Sequence, residues 1–123
     1  MTDSRRPSGI DRQVLDDLRG LLAGQEGGLG QIVGVFVQES RRRLVAIHEA
    51  LAQGALEPLR LAAHTIRGSA EMVGAGRLAD LGRALEEAAP GGNGVALEPL
   101  FQELRAEYER VEQELSRELG EGW

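Results

Sequence analysis

Residues 59–75 read LRLAAHTIRGSAEMVGA, and this stretch decides the fold because two opposite faces can be read from it. Leu59, Ala62, Ala63, Ile66, Ala70 and Val73 recur at spacings of three and four, the period of a helix that buries one side. At about 100° per residue, His64 lies about 140° from the middle of that stripe, toward water or whatever docks from water. Arg60 stands one turn earlier, and Arg67 and Gly68 follow at i+3 and i+4, so the four residues share a face. A glycine inside a helix costs about 0.8–1 kcal/mol relative to alanine. At Gly68 the expected reason is the close approach of another molecule's backbone, which a side chain would block. An outward imidazole, two guanidinium groups and a bare stretch of backbone together suit a phosphoryl group.

Outward from this helix the same period repeats. A polar tail over residues 1–9, with Pro7 and Gly9, is expected to fray. A short helix is predicted from Ile10 or Asp11 to Ala23, with Val14, Leu18, Leu21 and Leu22 on one face and Asp11 as its start. The run GQEGGLG, residues 24–30, lacks the Gly-Lys-Ser/Thr ending of a phosphate loop and follows no strand, so it reads as a turn. A long helix follows from about Leu29 to Gln53, with Ile32, Val33, Phe36, Val37, Leu44, Ile47 and Leu51 on a broad apolar face and Ser40 in line with them. Gly54 ends it, and Pro58 fits the first turn of the next helix, Leu56 to Val73. Gly74 and Gly76 break that one.

A further helix is predicted over Arg77–Ala89, with Leu78, Leu81, Leu85 and Ala88 inward, then a loop from Pro90 to Gly94. The last helix, about Leu97 to Leu119, carries Leu97, Leu100, Leu104, Tyr108, Val111 and Leu115 as a bundle seam that Phe101 widens. Glu103, Glu107, Glu109, Glu112, Glu114 and Glu118 are expected on its solvent side. Residues 120–123 form a second tail. No stretch alternates with the period of a strand. The fold class predicted is all-α: an up-down antiparallel four-helix bundle with a short extra N-terminal helix, spanning residues 10–119.

Composition narrows the function. A chain of 123 residues is one domain with a self-sufficient core. It has no cysteine, which removes disulfides and thiolate metal sites. No apolar run nears the roughly 20 residues a membrane span needs, and no signal-peptide core opens the chain, so a cytoplasmic location is expected. Aromatics are 3% and the net charge is −6, which argues against nucleic acid as a partner. Arg41, Arg42 and Arg43 form a basic run that reads as a solvated helix segment. His48 reads as a boundary residue at the edge of the long helix's buried face, and two histidines without cysteine give no dedicated metal site.

A histidine suits phosphate carriage because its neutral ring nitrogen is a nucleophile near pH 7. Two flanking arginines favour that neutral form by like-charge repulsion and then compensate the charge of the bound phosphoryl group. Leu61, Thr65 and Met72 lie at the flank of this face. Two readings stay open for Leu61 and Met72, a docking surface or a place beneath the neighbouring long helix.

The segment AHTIRGSAEMVGA, residues 63–75, resembles the histidine-containing phosphotransfer domains of phosphorelays, whose usual form is close to AHTLKGSSxxxGA. His64 matches the phosphorylated histidine, Arg67 the basic residue usually filled by lysine, Gly68 the glycine, and Ser69 the small residue after it. Gly74 and Ala75 match the turn that ends the helix. RLADLGRALE, with Leu78, Leu81, Leu85 and Glu86, resembles the following helix. The resemblance implies the same bundle and a phosphocarrier that takes a phosphoryl group on His64 from a receiver-domain aspartate and passes it to another receiver. The partners implied are the receiver domains of a hybrid histidine kinase and of a response regulator.

No cofactor is expected on this chain, since the magnesium ion and most catalytic groups belong to the receiver. Nothing resembles an ATP-binding domain, so no autonomous kinase activity is expected, and a monomer is. Arg67 and Arg60 are the candidate phosphate-stabilising residues. Gly68, Leu61, Thr65, Glu71, Met72 and, on the next helix, Arg83 are the candidate docking residues. Two departures from the family pattern stand out. Arg67 offers a planar fork in place of a point charge, and Glu71, at i+4 from Arg67, is positioned to draw that guanidinium off the phosphate. The alternative is an adaptor that kept the bundle, binds receivers or kinases, and is never phosphorylated.

Overall fold

The computed structural model describes residues 6–120. Five α-helices are present among them: α1 Arg12–Leu21, α2 Gly28–Gln53, α3 Leu56–Val73, α4 Gly76–Ala88 and α5 Gly94–Leu119, with one 3₁₀ turn at Ala89–Gly91. Helices α2 to α5 form the antiparallel bundle. Each packs on its neighbours in sequence, α5 closes against α2, and α1 lies across α2 and α3. The fold class is therefore as predicted. No helix of the described residues is long and apolar enough to cross a membrane.

Connections are short because the sequence ends its helices sharply. Gly54 and Gly74 adopt the left-handed conformation, φ 66° and 82°, that closes α2 and α3. The next amide then bonds back into the helix, Ala55 N to Ala50 O and Ala75 N to Ala70 O, each at 2.9 Å. Val33, Phe36, Ile47, Leu59, Ile66, Leu78, Leu85, Leu97, Phe101 and Leu104 are wholly or almost wholly enclosed. These include the whole predicted stripe of α3, for Ala62, Ala63, Ala70 and Val73 are buried too.

Four readings are corrected. Helix α5 begins at Gly94, three residues early, because the Asn93 side chain caps it by accepting from Ala96 N at 3.0 Å. Within it Phe101 is fully buried while Leu100 is only partly so. Glu107 is not on the solvent side; it has no exposure at all. Its carboxylate accepts from Ser8 Oγ at 2.7 Å, Gly9 N at 2.8 Å and Arg110 Nε at 3.1 Å. That contact also corrects the frayed tail for residues 6–9, which are pinned to the bundle; residues 1–5 and 121–123, including Trp123, lie outside the described residues.

The basic run is ion-paired, Arg41 with Glu112 and both Arg42 and Arg43 with Glu39. His48 is exposed at the bundle's edge, its ring 6.2 Å from that of Phe101.

Candidate functional site

Position on α3 decides which groups meet. His64 is 54% exposed in its side chain, on the face opposite the buried stripe. Behind it, α4 approaches unusually closely at Gly82. A Cβ there would sit 3.2 Å from the Ala63 carbonyl oxygen and 3.3 Å from Arg67 N, so a glycine lets the two backbones touch. One turn beyond Gly82, Glu86 then reaches across to the imidazole.

Glu86 Oε2 lies 2.8 Å from His64 Nδ1. A carboxylate can only accept, which places the ring proton on Nδ1 and leaves the lone pair on Nε2. Arg67 Nη2 is 3.3 Å from the same Nδ1, and its Nε is 3.4 Å from Glu86 Oε1. Since Nδ1 already donates to Glu86, Arg67 acts as the counter-charge to that carboxylate, whose Oε1 is otherwise buried without a hydrogen bond. Both contacts use Nδ1, so Nε2 has no partner among the described residues.

Arg60 is more distant from the ring. Its guanidinium donates to Glu57 at 3.0 and 2.7 Å and comes within 3.8 Å of Glu86. The hydrogen bond from Arg60 holds the Glu57 carboxyl below its usual range, with burial opposing it. The charge around His64 is thus mixed in sign and not uniformly positive as the spacing predicts. Glu86 matched only a helix pattern in the sequence and was missed as a site residue. Its placement depends on how closely two helices pack, which spacing within one helix does not reveal.

The remaining candidates divide. Gly68 is exposed, and a Cβ there would meet nothing within 4 Å, so nothing in the fold requires a glycine. Leu61 is 51% and Met72 46% exposed, which excludes a place beneath α2 and leaves both on the open face. Thr65 is half-buried, with its hydroxyl donating to the Leu61 carbonyl at 3.1 Å. Glu71 does not draw Arg67 away, because it pairs with Arg6 at 2.8 Å. Arg83 lines a groove between α4 and α5 with Asp80, Glu87 and Glu103 and does not join the cluster around His64.

An exposed imidazole with its Nδ1 proton held by a carboxylate thus stands on the surface of a four-helix bundle, an arrangement open to a phosphoryl donor. Comparison with known proteins agrees: the family described as Hpt domain matches residues 31–114, and the chain belongs to it. Among solved structures, histidine-containing phosphotransfer protein B (HptB) from Pseudomonas aeruginosa PAO1 is similar, at 30% identity with a TM-score of 0.74. The match covers 81% of this chain and 84% of that one. Comparison with curated proteins gives no match. The chain accordingly has a histidine phosphotransfer role in phosphorelays. Hpt domains are phosphotransfer intermediates, not kinases, and they interact with receiver domains.

Proposed function

We propose that the chain accepts a phosphoryl group on Nε2 of His64 from a receiver-domain aspartate and passes it to the aspartate of a second receiver. The observation that carries this reading is the Glu86–Nδ1 contact, 2.8 Å, which turns the nucleophilic nitrogen of an exposed ring outward. The Nε2 lone pair attacks phosphorus, the bond from phosphorus to the aspartyl oxygen breaks, and the aspartate leaves as a carboxylate. The ring, still protonated on Nδ1, gains positive charge as the N–P bond forms. Glu86 stabilises that charge, and Arg67 and Arg60, paired with Glu86 and Glu57 in the unphosphorylated chain, turn to compensate the phosphoryl oxygens. In the reverse step the protonated ring leaves as neutral imidazole, so one arrangement serves both directions.

Gly68 gives the partner backbone access, and Leu61 and Met72 supply apolar contact beside the ring. The chain brings no cofactor; the magnesium ion belongs to the receiver. It works as a cytoplasmic monomer without kinase activity of its own, between a hybrid kinase and a response regulator.

Incubation with a phosphorylated receiver and magnesium should label the protein with acid-labile, base-stable phosphate. His64→Gln should abolish the label with an unchanged helical circular dichroism spectrum. Labelling that survives this substitution refutes the site, and receiver binding without any label favours the non-phosphorylated adaptor.

A further inference from the structure

The segment before α1 is bound along the bundle by polar contacts from end to end. Arg6 N donates to Asp80 Oδ2 at 2.8 Å, and its guanidinium donates to Asp80 Oδ1 at 2.9 Å while pairing with Glu71 at 2.8 Å. Ser8 and Gly9 are anchored by the buried Glu107, and Ile10 N donates to Glu114 at 3.3 Å. Asp11 N closes the series on the Gly74 carbonyl at 2.8 Å. The strap thus crosses the end of α3 and the start of α4, and its first described side chain comes out on the face that carries His64.

The position of Glu71 makes this matter. Seven residues after His64, it lies about 20° from it around the helix and about 10 Å along the axis. A protein interface of ordinary size covers about 800 Å² per partner, a disc roughly 16 Å in radius, so a partner centred on Nε2 covers Glu71 and the guanidinium on it. That partner approaches with an anionic group, the aspartyl phosphate. Without Arg6, Glu71 would lose its ion pair and Asp80 would keep only the weaker influence of Arg83. The side chains of Arg6 and Glu71 are 44% and 45% exposed, that of Asp80 14%. Burial opposes ionisation of Asp80, yet hydrogen bonds from the Arg6 side chain and backbone hold its carboxyl below the usual range.

We infer that Arg6 is a docking residue for the receiver: held by the strap between Glu71 and Asp80, its guanidinium sets the charge of the phosphotransfer face two turns from His64. The inference rests on the phosphocarrier reading and adds to it a specificity-determining residue outside the His64 motif. A charge at this distance, near the Debye length, changes encounter more than chemistry, and salt screens it.

The test is the rate at which a phosphorylated receiver labels the full chain, followed against receiver concentration for wild type, Arg6→Gln and Arg6→Lys. At about 25 mM salt, Arg6→Gln should raise the half-saturating receiver concentration about three- to tenfold with little change in the plateau rate. Arg6→Lys should restore most of the loss. The difference should shrink as salt approaches about 0.5 M, and adding Glu71→Gln to Arg6→Gln should recover most of the loss, because the face then carries the same net charge as wild type. Equal rates at all salt concentrations overturn the inference. So does a loss that persists at high salt and beside Glu71→Gln, which would mark Arg6 as a structural tie. Absence of label on wild type would instead overturn the phosphocarrier reading itself.

Discussion

Glu86 gives His64 what no residue on its own helix can, a fixed tautomer. His64, Arg67 and Gly68 were legible in the sequence because residues three and four apart on a helix must be neighbours. Glu86 was not, since it lies 22 positions away in sequence and arrives only through the packing of α4 on α3. Glu71 misled for the complementary reason. Its i+4 spacing from Arg67 is real, but Arg6 from outside the helix takes it first. Replacing Glu86 with Gln keeps the shape and removes the charge that stabilises the phosphorylated ring. Charge-assisted hydrogen bonds contribute about 1.5–3 kcal/mol, and at a half-exposed ring the lower end applies, so the labelling rate should fall about tenfold in a single-turnover assay. Gly68 permits a test in the opposite direction. With open space around it, Gly68→Ala should stabilise the fold by about 0.8–1 kcal/mol, a rise of about 4 °C in Tm. Gly68→Leu should also leave the fold intact while slowing labelling by about tenfold or more through steric conflict with the partner.

At the scale of the helices, α3 and α4 act as one unit whose separation is set by Gly82. The bounds of α2 and α3 were readable to within a residue because left-handed glycines end both. The start of α5 was not, because glycine-rich composition around Gly94 suggested a loop where a single Asn93 side chain caps a helix. Gly82 passed unnoticed for a similar reason: a glycine that permits close packing looks in sequence like any other. Adding a methyl group there forces the Ala63 carbonyl and the Arg67 backbone to yield. Gly82→Ala should therefore destabilise the protein by about 1–3 kcal/mol in urea denaturation. It should also slow labelling by moving Glu86 off Nδ1, an effect absent if α4 served only the core.

Across the whole molecule, the charge-rich surface is where sequence reading fell short. The glutamates of α5 looked alike, yet Glu107 is buried as an anchor for the strap, and Glu112 joins α5 to α2. The carboxylate of Glu112 accepts from Arg41 Nε at 2.9 Å and from the Tyr108 hydroxyl at 2.7 Å. The hydrogen bond from Arg41 is the main cause that holds its carboxyl below the usual carboxylate range, with partial burial opposing and Tyr108 adding. A carboxyl lowered on folding contributes stability that is complete above its unfolded value and is lost as pH falls through the folded one. Asp80, lowered through Arg6, acts in the same sense. Tm should accordingly hold steady above about pH 5 and decline below it. The decline should be shallower in Glu112→Gln, as thermal melts between about pH 3 and 6 would reveal.

One spectrum bears on all of this: ¹⁵N and ³¹P NMR of ring-labelled protein after transfer from a phosphorylated receiver. The account predicts a nitrogen–phosphorus coupling on Nε2 of His64 and a proton retained on Nδ1. Phosphate on Nδ1, on His48, or on no histidine would contradict it.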